Sequence, residues 1–174
     1  MEALLNRVKE RVADPIHFLD SAAWVTPQSS IGPIATQQDV TDSEQHLGFC
    51  FPPLMRRLYT EIGNGNWGPY YGFWRIPTSG MVPTEDDLVG FYLECVSKDH
   101  AMKEPLVNWP RGLVTIIGRG CVDYELCDFI ASPHPVYLLS GDTWKPTMPV
   151  MEALSLISDS IEDRMEIWLN APRL

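Results

Sequence analysis

Leu47 to Pro77 reads LGFCFPPLMRRLYTEIGNGNWGPYYGFWRIP, and this stretch sets the rest of the chain. Leu47-Gly48 closes one helix. Pro52-Pro53 opens the next, at positions where a missing N–H costs nothing. Leu54, Met55, Leu58, Tyr59 and Ile62 recur at near-helical spacing, and Gly63 stops the run. GNGNWGP then demands turn geometry, since its glycines and asparagines accept positive φ. A phosphate cradle would need Lys-Ser/Thr after the glycines and a helix beyond them. Neither follows, so no phosphate site is read here. Tyr70 to Ile76 alternates as a strand with aromatic side chains on both faces.

Upstream, Glu2 to Val12 puts Leu4, Leu5, Val8 and Val12 on one helical face and ends before Pro15. Residues 20–35 read as an irregular connector with Trp24 as a packing anchor. Thr36 caps a second helix with Asp39 three residues on, turning Val40 and Leu47 inward. Downstream, Thr84 caps a helix with Asp87 three residues on and an apolar stripe of Leu88, Phe91, Tyr92 and Cys95. Asn108 to Gly112 is a turn. Strands are predicted at Leu113–Ile117, Cys121–Cys127 and Pro135–Leu139, with Gly118–Gly120 as a turn between the first two. From Val150 one long helix is predicted, carrying Leu154, Ile157, Ile161, Met165 and Trp168 inward and stopping before Pro172. The fold class is therefore α+β: an antiparallel sheet of about four to six strands packed against several helices. Residues 1–35 form an N-terminal helix and connector, and 36–174 the main domain, together one globular unit.

The chain of 174 residues is 45% hydrophobic and 21% charged, enough for a core without staples. No apolar run approaches the roughly 20 residues of a membrane span. The charged, helix-patterned N-terminus is not that of a signal peptide, so the default compartment is the cytoplasm. Cys50, Cys95, Cys121 and Cys127 follow no CxxC pattern and read as buried free thiols, neither zinc ligands nor a disulfide. His17, His46, His100 and His134 are scattered and read as solvated. The net charge of -10 is uneven. Residues 1–80 hold six Lys/Arg against eight Asp/Glu, and residues 81–174 hold seven against fifteen. Such a surface disfavours nucleic acid and anionic membranes and favours a basic partner, although surplus acid also serves solubility alone.

The order of these pieces resembles the SUKH superfamily, named for a yeast regulator of cell-wall synthesis and abundant among bacterial immunity proteins. The resemblance rests on Glu44, Leu47-Gly48, Pro52-Pro53, Leu58-Tyr59, Asn64-Gly65 and Gly68-Pro69. It continues through Trp109 to Leu113, Gly118 to Gly120, Asp128, Pro135 to Tyr137 and Trp168-Leu169. It covers most of residues 36–170. The turn departs from the plainer Asn-Gly-Gly-Phe pattern, and residues 1–35 have no counterpart, which marks them as a lineage-specific cover. The resemblance implies helices against an antiparallel sheet, no catalytic residues and a role in protein binding; the residues themselves suggest no cofactor and no metal site. Immunity members bind and block a cognate toxin, often a nuclease. Members of the yeast-regulator kind act as regulatory scaffolds.

Candidate contact residues come from the aromatics and the acids. Trp67, Tyr70 and Tyr71 flank the glycine turn, and exposed Trp and Tyr are typical interface anchors. A buried role competes with that reading, and for Trp74 the core is favoured. Glu85, Asp86 and Asp87 sit at a helix start. Asp123 and Glu125 share one strand face, with Asp128 past them, as a solvated acidic edge. Asp142 and Trp144 lie in a loop. Two roles follow, a toxin-neutralising binder or a regulatory scaffold, with an enzyme using Asp123 or Asp128 as a remote third.

Overall fold

The structure, a computed structural model, describes residues 1–14, 30–97, 109–120, 122–145 and 148–171. Trp24, His17, His100, Asn108, Cys121 and Pro172 lie outside them. Among the described residues, five α-helices and a four-stranded antiparallel sheet form a single α+β domain.

Helix α1 (Glu2–Val12) buries Leu5 and Val8 completely in the main core. It is therefore part of that core rather than a cover over it. Lys9 pairs with Glu61 at 2.8 Å, Arg57 with Glu2 at 2.8 Å, and Arg7 with Glu166 at 2.6 Å, which ties α1 to α3 and α5. Helix α2 (Gln37–Leu47) has the predicted capping box: Asp39 N–H donates to Thr36 Oγ1, and Thr36 N–H donates back to Asp39. Burial alone would raise the Asp39 pKa, but hydrogen bonds from Thr36 and Ser79 outweigh it and hold the carboxyl below its usual value. Helix α3 (Pro53–Glu61) turns Leu54, Met55, Leu58 and Tyr59 inward. Glu44 accepts from Phe51 N–H at 2.7 Å and from the Arg56 guanidinium, fixing the corner between α2 and α3.

Helix α4 (Leu88–Val96) starts three residues later than its sequence suggests. Asp87, not Thr84, is the cap: it accepts from Gly90 N–H at 2.8 Å and from Thr84 N–H at 2.6 Å. The preceding turn lies so close that a Cβ at Gly90 would meet Thr84 O at 2.1 Å. Strands β1 (Leu113–Gly120), β2 (Asp123–Asp128), β3 (Val136–Leu139) and β4 (Leu154–Ser158) form a meander in that order. Gly118 to Gly120 thus continue β1 rather than forming a turn. Val114, Cys127 and Val136 align across the sheet on the face toward the helices. Leu113, Leu126 and Leu139 form a second cluster on the other face with Val150 and Ala153.

Two elements differ from the sequence reading. The aromatic segment 70–76 makes a single bridge, Phe73 to Ile117, and is not a ladder strand. Tyr70 at φ +51° and Gly72 at φ +89° break the extended backbone a ladder requires. The long helix from Val150 is instead a 3-10 turn (Val150–Glu152), strand β4 and helix α5 (Ile161–Asn170). The inward spacing of Leu154, Ile157 and Ile161 mimics a helix. Ser160, accepting from Asp163 N–H at 3.0 Å, starts a new helix, and β3 pairs with the segment before it.

Candidate functional site

The glycine turn is a clamp. Asn64 is buried, donates its amide N–H to Ile76 O at 2.9 Å and accepts from Ile76 N–H at 2.7 Å, as a neighbouring strand would. Gly65 holds φ +78°, and a Cβ there would stand 2.7 Å from Arg75 N. Trp67 is 1% exposed, donates to Gly63 O at 3.0 Å, and packs on Phe73 and Trp168 at ring separations of 5.0 and 6.2 Å. The expectation that Trp67 offers a contact surface is corrected: its ring fills the core beneath the turn.

The clamp leaves Tyr71 outward, 45% exposed. Leu88 N–H donates to Arg75 O at 2.9 Å, which brings the acidic start of α4 beside the aromatic segment. The result is a shallow cleft of about 270 Å³ lined by Asn66, Tyr71, Trp74, Arg75 and Asp86. Trp74 is half-buried, packed against Phe91 and Tyr124 at 4.9 and 6.1 Å. Asp86 and its neighbour Glu85 are exposed, whereas Asp87 is buried and spent on capping α4. Two separate sequence candidates, Tyr71 and Asp86, thus meet at one surface. An exposed phenol ring and an indole, with Asp86 and Arg75 of opposite charge at the rim, suit a side chain that stacks on the rings and pairs with the carboxylate.

Tyr70 belongs elsewhere. Its ring lies under the Arg119 guanidinium at 4.0 Å, and its hydroxyl accepts from Arg119. Arg119 also approaches Glu125 at 3.5 Å, and Arg164 grips the same carboxylate with two bonds of 2.7 and 2.8 Å. Glu125 is fully buried, so it is not part of a solvated acidic edge. Its position two residues from Cys127 sets it on the helix-facing side of β2, where Arg164 of α5 arrives. The sequence carried a signal for this pair: Arg164 falls on the inward stripe of α5, and a buried guanidinium requires an acid partner.

Of the remaining candidates, Asp123 and Asp128 stabilise turns. Asp123 accepts from Ser140 Oγ at 2.8 Å and Gly141 N–H at 3.0 Å. Asp128 accepts from Ile130 N–H at 2.9 Å and Ala131 N–H at 2.8 Å. Asp142 is exposed, and Trp144 is half-buried against the second cluster. Cys95 is buried and its thiol is pushed up to about 12 by desolvation, and burial raises Cys127 as well. Cys50, by contrast, is exposed, which corrects its reading as a buried thiol: Phe51 takes the inward position instead. Among the described residues, no three His, Cys, Asp or Glu side chains group as metal ligands, and no helix is long and apolar enough to cross a membrane. No protein-family model matches this chain, and no curated protein matches it closely.

Proposed function

We propose that this protein is a SUKH-type immunity protein, a non-catalytic cytoplasmic binder that holds and neutralises a cognate basic toxin, with a nuclease the toxin class that fits. The observation that supports this most is where the charges go. Residues 109–171 hold nine Asp/Glu against four Lys/Arg. Arg119 and Arg164 turn in on buried Glu125. Setting that trio aside leaves eight acids against two cations to face outward. An acid-rich surface with Arg119 and Arg164 turned inward steers a basic partner and repels nucleic acid and anionic membrane. The Tyr71–Asp86 cleft supplies an anchoring point of the aromatic-plus-charge kind that dominates binding energy.

The test is co-expression with the product of the reading frame immediately upstream. The expected result is survival of cells carrying both proteins and death of cells carrying the toxin alone. A folded protein that gives no protection against any neighbouring product contradicts the immunity role and returns the regulatory scaffold to the front.

A further inference from the structure

Strand β4 ends the sheet. It pairs with β3 on one side, and no described residue hydrogen-bonds its other side. The opposite edge is occupied, since Tyr71 N–H donates to Gly118 O at 3.3 Å and Trp74 N–H to Ile116 O at 2.9 Å. Natural edges are blunted by charge, proline or bulges. Leu154–Ser158 reads LSLIS, without charge or proline. Its one irregularity is at Ile157: Tyr137 pairs with Leu156 and Val136 with Ser158, leaving Ile157 as an extra residue. That bulge ends the straight run at Leu156 and leaves Leu154 to Leu156 open. Leu156 is 56% exposed, and Ile167 on α5, which packs on β4, is 53% exposed. An open backbone edge with apolar side chains beside it suits strand addition.

Charge decides the occupant. Exposed Glu152 and Asp159 stand at the two ends of β4. A second copy paired antiparallel about Ser155 or Leu156 would bring the end of β4 that follows Glu152 against the end that precedes Asp159, gathering carboxylates of both copies at each end, and like charges there repel. A parallel copy would align Glu152 with Glu152. We infer that β4 is a docking edge for an extended strand of a basic protein partner, with apolar residues at alternate positions and Lys or Arg at each end. This rests on the proposed function only for the sign of the partner's charge.

The experiment needs no toxin. The full-length, isotope-labelled protein is titrated with the peptide Lys-Lys-Val-Thr-Val-Thr-Val-Lys-Lys and with its Glu-flanked counterpart, following backbone amide shifts by NMR. The expected shifts centre on residues 154–158 for the Lys-flanked peptide alone, weaken several-fold between about 50 and 300 mM salt, and fall about tenfold for Leu156→Lys. Circular dichroism confirms that this surface variant folds. Shifts that leave β4 untouched, or binding that Leu156→Lys does not change, overturn the proposal, as does no shift at millimolar peptide. A concentration-dependent doubling of mass that Leu156→Lys abolishes overturns the choice of occupant in favour of a second copy. Peptide binding at β4 without protection from a toxin would strike the immunity role and leave the docking edge standing.

Discussion

Replacing Glu125 by alanine removes the one acid that, among the described residues, pairs with both Arg164 and Arg119. Glu125 is fully buried and Arg164 is 6% exposed, so the guanidinium left behind is a buried charge without its bidentate partner. Breaking a buried pair in this way costs roughly 3–5 kcal/mol, mostly as the desolvation of the orphaned ion. The second arginine, Arg119, which sits 3.5 Å from the same carboxylate, adds repulsion instead of relief. With a urea m-value of about 2 kcal/mol/M, the unfolding midpoint falls by about 1.5–2.5 M. Urea titrations followed by tryptophan fluorescence read this directly, because Trp168 sits one helical turn from Arg164. The double variant Glu125→Leu with Arg164→Met returns most of the loss, since apolar side chains of similar volume replace buried ion pairs at little cost. A midpoint shift under about 0.5 M for Glu125→Ala, or a double variant no better than the single, refutes the claim that the pair is desolvated and mutually dependent.

Thiol labelling of the native protein separates Cys50, which reacts fast, from Cys95 and Cys127, which react only on unfolding; fast labelling of Cys127 contradicts its burial under the sheet. Hydrogen bonds from Arg57 and then Lys9 lower the Glu61 pKa to about 2. Its contribution is complete above the unfolded value of about 4.3 and is lost as pH falls through the folded value. Between about pH 5 and 2, Glu61→Gln therefore loses less stability on acidification than the parent; equal slopes in urea midpoint against pH would deny the linkage. Gly65→Ala puts a Cβ 2.7 Å from Arg75 N at φ +78° and costs about 2 kcal/mol or more, read as a lowered thermal midpoint, whereas an unchanged midpoint means the turn is not a clamp.

Local rules made much of the fold legible. The Thr36–Asp39 box, the Pro-started α3 and the apolar stripe of α1 are written in adjacent residues, and all three form as read. The failures lie where a distant partner decides. Residues 154–158 fit a helical period, yet β3 offers them a ladder. Residues 70–76 fit a strand period, yet the conformations of Tyr70 and Gly72 forbid a ladder. The candidate site was half visible. Tyr71 and Asp86 carried the right chemistry, but their meeting depends on the bond from Leu88 N–H to Arg75 O. Trp67 and Glu125 looked like surface groups because nothing local announces Trp168 or Arg164 as their partners.

The most direct measurement of the central claim is calorimetric titration of this protein with the product of the reading frame immediately upstream at low and high salt, repeated with Tyr71→Ala and Asp86→Lys. The expected result is tight one-to-one binding that weakens with salt and loses at least about 2 kcal/mol, some thirtyfold, in each variant. Binding that is indifferent to salt and to both substitutions would contradict an acidic, aromatic docking face, and no binding at all would contradict the neutralising role itself.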